Sequence, residues 1–268
     1  MNIITTEIPP NIPQEPEALH CMEVWGGNRI TNQVVRAANI SIAIHARPHG
    51  QSEEGGDIHY VSACSADSLI RIALADISGH GETSGQLAQG LHNLMRANIE
   101  NTDHTGFVRT LNEEFGKLST EGNFATAIIA AYYKPNNSLV LSNAGHPRPL
   151  WFRAADHMWL FLDNSIDNAL LGIADAPLGV IDGTDYSQIG IIMAPGDFIV
   201  MYSDSLIESE NAEGQPLHEE GLLNLVAQLP TNGGWALCGA VIDAVSAYRG
   251  HAPADDDESV LVISRPDA

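Results

Sequence analysis

The sequence predicts an α+β protein in which antiparallel sheet is covered by helices. Short apolar runs with period-two alternation recur along the chain, and some are joined by turn-rich links in the manner of hairpins. Stretches with helical apolar spacing are fewer and come as two pairs inserted among the strands. They do not alternate one for one with strands, as a doubly wound parallel sheet would require. Hydrophobic residues make up 44% of the 268 residues, an ordinary share for a globular core.

Residues 1–20 hold Pro9, Pro10, Pro13 and Pro16 among polar residues. Proline fixes φ and lacks a backbone donor, so this stretch reads as an extended arm. Trp25-Gly26-Gly27 reads as a segment that packs onto the body, and the division expected is an extension over 1–36 and a domain over 37–268. Ile40-Ser41-Ile42-Ala43-Ile44 alternates at period two, as do stretches within Leu69 to Leu74. Ala125 to Tyr133 and Leu139 to Ser142, split by Lys134-Pro135-Asn136-Asn137, read as a hairpin. Further strands are expected at Leu150–Phe152, Gln188–Met193, Phe198–Tyr202 and Val260–Ser264.

The first helix pair carries Leu87, Leu91, Leu94 and Met95, then Val108, Leu111, Phe115 and Leu118, each a stripe packed by one face. The second pair is expected at Glu219–Gln228 and Gly234–Tyr248.

Twelve Lys and Arg against thirty-four Asp and Glu leave a formal charge of −22. Nucleic acid and anionic membrane surfaces both select for clustered basic side chains, so neither is an expected partner. Cys21, Cys64 and Cys238 are far apart, with no metal-ligand or disulfide spacing, which suits reduced thiols. The first residues lack the basic start and apolar run of a signal peptide, and no stretch approaches the ~20 apolar residues of a spanning helix. A cytoplasmic, soluble protein is the expectation.

Four aspartates share one context: Asp57 after Gly55-Gly56, Asp76 after Ile72-Ala73-Leu74-Ala75, Asp204 after Phe198 to Ser203, and Asp256 before Val260-Leu261-Val262-Ile263. A carboxylate at a strand end lies at the rim of a sheet, where several can converge on hard divalent cations that want oxygen ligands. Aspartate at such places is also a common turn former or cap, and spacing alone leaves both readings open. Gly79-His80-Gly81 lacks the Lys and Ser/Thr of a phosphate-binding P-loop. His80 and His146 stand as candidate ligands or proton carriers.

In order along the chain, these segments resemble the SpoIIE-like branch of the PPM (type 2C) metal-dependent protein serine/threonine phosphatases. Glu54-Gly55-Gly56-Asp57 is similar to the first metal motif, and Ala75-Asp76-Ile77-Ser78-Gly79-His80-Gly81 to the most distinctive one. Phe124-Ala125-Thr126-Ala127 and Ser142-Asn143-Ala144-Gly145-His146-Pro147 resemble the central hairpin and its signature. Pro177-Leu178-Gly179-Val180 matches a further element. Pro195-Gly196-Asp197 with Tyr202-Ser203-Asp204, and Asp256-Asp257-Glu258-Ser259, resemble the third and fourth metal motifs.

The resemblance covers roughly Ile40 to Arg265 and implies a four-layer α/β/β/α sandwich of two antiparallel sheets flanked by helices. It implies hydrolysis of phosphoserine or phosphothreonine in a protein, with two divalent cations, Mn²⁺ or Mg²⁺. Asp57, Asp76 and the Ile77 carbonyl would hold them from one side, Asp204 and Asp256 from the other. His80 is a candidate proton donor, and Arg47 a candidate for orienting phosphate through its bidentate fork. A frequent substrate of this branch is a phosphorylated STAS-type anti-anti-sigma regulator.

The sequence departs from the family in three places. Ile58-His59-Tyr60 follows the first motif where Phe-Tyr-Asp is common, so a second acid is absent. Ser205 stands where glycine is usual and would be strained if the backbone there needs φ > 0. Asp255 to Asp257 form a run, in which Asp256 has the family's spacing to Ser259. These departures sustain an alternative: a catalytically weak phosphatase fold that binds a phosphoprotein.

Overall fold

The structure is a computed structural model, and it describes residues 17–18, 23–26, 30–37, 39–49, 56–63, 68–79, 82–119, 122–163 and 175–266. The chain opens with β1 (Glu17–Ala18), β2 (Glu23–Gly26), β3 (Thr31–Ala37), β4 (Ile40–Arg47), β5 (Asp57–Ala63) and β6 (Leu69–Ile77). Helices α1 (Glu82–Ala97) and α2 (His104–Leu118) lead to β7 (Ala125–Tyr133), β8 (Ser138–Ala144), β9 (Leu150–Arg153), β10 (Met158–Phe161), β11 (Ile189–Ile192) and β12 (Phe198–Tyr202). Then follow α3 (Asp204–Glu208), α4 (His218–Val226), α5 (Gly234–Tyr248) and β13 (Glu258–Ser264).

The strands form two sheets, a seven-stranded one ordered β1-β3-β4-β13-β12-β9-β10 and a six-stranded one ordered β11-β8-β7-β6-β5-β2. Every pairing between these thirteen strands is antiparallel except β1 with β3.

Strand alternation explains the layering, because successive side chains point to opposite faces. In β6, Ile70, Ile72 and Leu74 meet the other sheet, while Ala73, Ala75 and Ile77 meet α1 and α2. In β13, Leu261 and Ile263 face the inter-sheet core, and Val260 and Val262 face α4 and α5. Leu87, Leu91 and Met95 of α1 and Phe107, Leu111 and Phe115 of α2 cover one sheet; Leu237, Val241 and Val245 of α5 cover the other. Each such side chain contributes about 1.5–3 kcal/mol when fully buried. The result is the four-layer α/β/β/α sandwich. Among the described residues no helix is long and apolar enough to cross a membrane.

The expected strands and helices form, with ends displaced by a residue or a few, as frayed termini allow. The division at 36/37 needs correction. It falls inside β3, which pairs with β4 along its whole length, and β2 pairs with β5. Residues 23–26 and 31–37 therefore belong to the two sheets. The polar Thr31-Asn32-Gln33 start of β3 hides it from a search for apolar runs.

Candidate metal centre

The strand ends of one sheet deliver two acids, and those of the other three, to the same place. Asp57 begins β5 and Asp76 nearly ends β6, and they are direct cross-strand partners. In the other sheet Tyr202 of β12 pairs with Val260 of β13, so Asp204 just beyond β12 lies beside Asp256 and Asp257 just before β13.

Hydrogen bonds lock the two edges together. The Asp257 carboxylate accepts the backbone N–H of His49 at 2.7 Å and of Asp57 at 3.2 Å. The Ser259 N–H donates to Ser203 Oγ at 2.9 Å, and Ser205 Oγ donates to the Asp257 carbonyl at 2.6 Å. Arg249 pairs with Glu258 at 2.7 Å and donates to Ser209 Oγ at 3.0 Å, joining the end of α5 to the loops that carry Asp204 and Asp256. Both partners of that ion pair are buried.

The electrostatics are those of crowded carboxylates. Asp57 is 2% exposed, and among the described residues its Oδ2 has no hydrogen-bond partner. Burial pushes its carboxyl well above the usual carboxylate range, and Asp76 pushes it further. Asp76 is raised to about 7, first by burial and then by Asp204, Asp256, Asp257 and Glu208. Asp204 is raised by burial, then by Glu208 and Asp256. Like charges so placed disfavour each other's ionised forms until a cation or a proton compensates them.

The donor set fits a hard divalent cation. All of it is oxygen, and Gly56 leaves a cradle: a Cβ there would come within 2.9 Å of Asp76 Oδ1 and 3.0 Å of the Ile77 carbonyl oxygen. The side chains are within electrostatic reach, yet among the described residues no three His, Cys, Asp or Glu groups converge in a finished cage. The fit therefore rests on the chemistry of the donors and on the unsatisfied Asp57 oxygen.

The register among the acidic run is separated by burial. Asp257 is buried with both oxygens engaged by backbone amides, whereas Asp256 is exposed and, among the described residues, accepts only the Asp257 N–H, at 2.8 Å. Arg47 lies opposite Glu258 at the end of β4, on the same edge, and forms no ion pair with a described residue. His80, with Glu54, Gly55 and Gly81, lies outside the described residues.

Two sequence expectations change. Ser205 sits in α3 with no left-handed backbone, so nothing there requires glycine, and its hydroxyl holds the Asp257 carbonyl. His146 is a brace between the sheets. Its ring meets Thr126 Oγ1 at 2.8 Å through Nδ1 and donates from Nε2 to the Tyr202 carbonyl at 3.1 Å. Burial lowers it to about 4, so it stays neutral and engaged rather than carrying protons. Gly145 beside it has φ 70°, and a Cβ there would strike Pro177 Cγ at 2.7 Å.

Sequence reasoning passed over Glu208 and the bracing role of Asp257. Glu208 was legible, since it stands four residues after Asp204 and a short helix puts both on one face. Asp257 was not, because its partners are about 200 residues away in sequence.

The model of the stage II sporulation protein E (SpoIIE) family matches residues 66–266. No curated protein matches the chain. Among solved structures, the RsbU and RsbW domains of Rv1364c from Mycobacterium tuberculosis superpose with a TM-score of 0.69 at 20% identity, over 86% of this chain and 62% of that one. The PP2C phosphatase domain, with a fragment of the regulatory domain, of SpoIIE from Bacillus subtilis gives 0.69 at 18% identity, over 86% and 64%. The chain thus spans under two thirds of both. RsbX in complex with magnesium gives 0.63 at 13% identity, over 87% and 98%. With the fold, the acidic edge and the family match together, the chain belongs to the SpoIIE family and carries the PP2C phosphatase fold.

Proposed function

We propose that the chain hydrolyses phosphoserine or phosphothreonine in a regulatory protein, at the acidic edge between the two sheets. The observation that carries this is the meeting of buried and half-buried, mutually repelling carboxylates from both sheets in a chain of this family.

Asp57, Asp76 and the Ile77 carbonyl would hold divalent cations from the six-stranded sheet, and Asp204 and Asp256 from the seven-stranded one. When bound, Mn²⁺ or Mg²⁺ supplies an activated water and neutralises charge on the phosphoryl oxygens. Magnesium is the ion named with RsbX. Asp257 and Arg249 hold the loops at fixed separation, which positions the ligands before substrate arrives. Arg47 orients the phosphate by its fork of donors. His80 is the chain's own candidate for returning a proton to the leaving serine oxygen. Cys238 is buried and pushed up to about 12, so it is unsuited to act as a thiolate nucleophile. A phosphorylated STAS-type regulator is the substrate that the family resemblance favours.

The test compares hydrolysis of an aryl phosphate and of a phosphorylated STAS protein, in excess EDTA and after adding Mn²⁺, with wild type and Asp204→Asn. Wild type should be inactive in EDTA and recover with Mn²⁺, while Asp204→Asn stays inactive but folded. Full activity in EDTA refutes the proposed metal centre. Binding of the phosphoprotein without turnover at any Mn²⁺ concentration would make the chain a binding module instead.

A further inference from the structure

We propose that a cavity at the opposite end of the seven-stranded sheet binds a small organic anion, headed by a phosphate or carboxylate and carrying an apolar body. The cavity has a volume of about 640 Å³, within the range of small-molecule sites. Its floor follows from strand register. Arg36 of β3 pairs with Ser41 of β4, Ser41 with Ser264 of β13, and Ser264 with Phe198 of β12, one transverse row across four strands. The row lies on the helix-covered face, where Phe198 and Val34 pack toward α5. A Cβ on Gly234 would come within 2.8 Å of Ser264 Oγ, so glycine lets the start of α5 close down on the row. Trp235 supplies an aromatic wall.

Charge is what distinguishes this cavity. The chain has thirty-four acids and twelve basic residues, yet none of the fourteen residues lining the cavity is Asp or Glu and two are Arg36 and Arg265. Among the described residues, Arg96, Arg109, Arg148, Arg153 and Arg249 all pair with carboxylates, whereas Arg36 and Arg265, like Arg47 at the far end of the sheet, form no ion pair with a described residue. Asp197, beside Phe198, is turned away: its carboxylate accepts the backbone N–H groups of Ala154 and Ala194, each at 2.9 Å. The dipole at the start of α5 has the same sign as the arginines. Two guanidinium groups that pair with no carboxylate of the described residues, around a partly apolar cavity, suit an anionic head with a hydrophobic body. Glu258 and Ser264 bound β13, so this site stands about 20 Å from the acidic edge, given the rise of a strand.

The test uses full-length protein in excess EDTA, with phenyl phosphate, benzoate and inorganic phosphate as probes, read by tryptophan fluorescence and calorimetry. Saturable binding of phenyl phosphate or benzoate is expected, weakened at least about tenfold by Arg36→Ala, the loss of one charge-assisted contact. Stronger binding of phenyl phosphate than of benzoate assigns the head as phosphate, and the reverse as carboxylate. The fluorescence change should vanish in Trp235→Phe, Asp204→Asn should bind as wild type does, and Arg36→Ala should leave hydrolysis unchanged. Arg265 also donates to the Met193 carbonyl, so the decisive variant is the exposed Arg36. Absence of saturable binding up to roughly 10 mM of each probe, equal binding by Arg36→Ala, or loss of binding in Asp204→Asn would each overturn the proposal.

Discussion

Replacing Asp76 by asparagine should remove the loss of stability that this group causes in the metal-free protein between about pH 4 and pH 7. Asp76 is held at about 7 in the folded state against 3.8 for a free aspartate, by burial and by Asp204, Asp256 and Asp257. At this group the folded state therefore binds more protons than the unfolded state across that interval, and the contribution of Asp76 to stability falls as pH rises through it. A gap of that size corresponds to about 4 kcal/mol. Solvent reaches part of the side chain, which trims the expected effect to about 2–3 kcal/mol. Asparagine keeps the shape and removes the titration. Denaturant unfolding in EDTA should thus find Asp76→Asn close to wild type near about pH 4, and more stable by about 2–3 kcal/mol near about pH 8. Equal slopes for the two proteins, or a mutant that is less stable at the higher pH, would mean that Asp76 is a structural turn residue and that the crowding argument fails.

Ser205→Gly should lose about 1 kcal/mol, because it deletes the hydroxyl bond to the Asp257 carbonyl and places glycine in a helix. A more stable variant in the same denaturation assay would restore the left-handed reading of that position. His146 sits at about 4 against 6.5 for a free histidine, so the unfolded state binds the extra proton and stability should fall as pH drops from 6.5 toward 4. His59 and His104 are lowered to about 4 as well, so His146→Gln should remove only the share of the acid-side loss that His146 causes, and an unchanged slope would place the titration elsewhere. Arg249→Met should cost about 3–5 kcal/mol by leaving Glu258 buried without its partner. Double replacement with Glu258→Leu should recover most of that, and no recovery would show that Arg249 acts chiefly through Ser209.

Fold class and most element positions were legible in the sequence because they rest on local periodicity. Ala125 to Tyr133 is a short, almost continuous apolar run bounded by a turn, as a strand buried on both faces must be, and Leu87, Leu91 and Met95 line up as a packed helix face must. The order of the four aspartates was legible for the same reason, since each sits at the end of an apolar run. What a residue does within the site depended on partners remote in sequence, and only the tertiary structure supplied them. Asp257 is a brace because His49 and Asp57 come to it from 208 and 200 residues away. His146 is a brace because the Tyr202 carbonyl arrives from the other sheet. Gln33 and Asn32 look like loop residues until β4 pairs with them. Arg36 and Arg265 become neighbours only when β3, β4 and β13 lie side by side. Local pattern determines which face of an element is apolar, but which faces meet is decided by long-range packing, and side-chain chemistry follows the neighbours that packing provides.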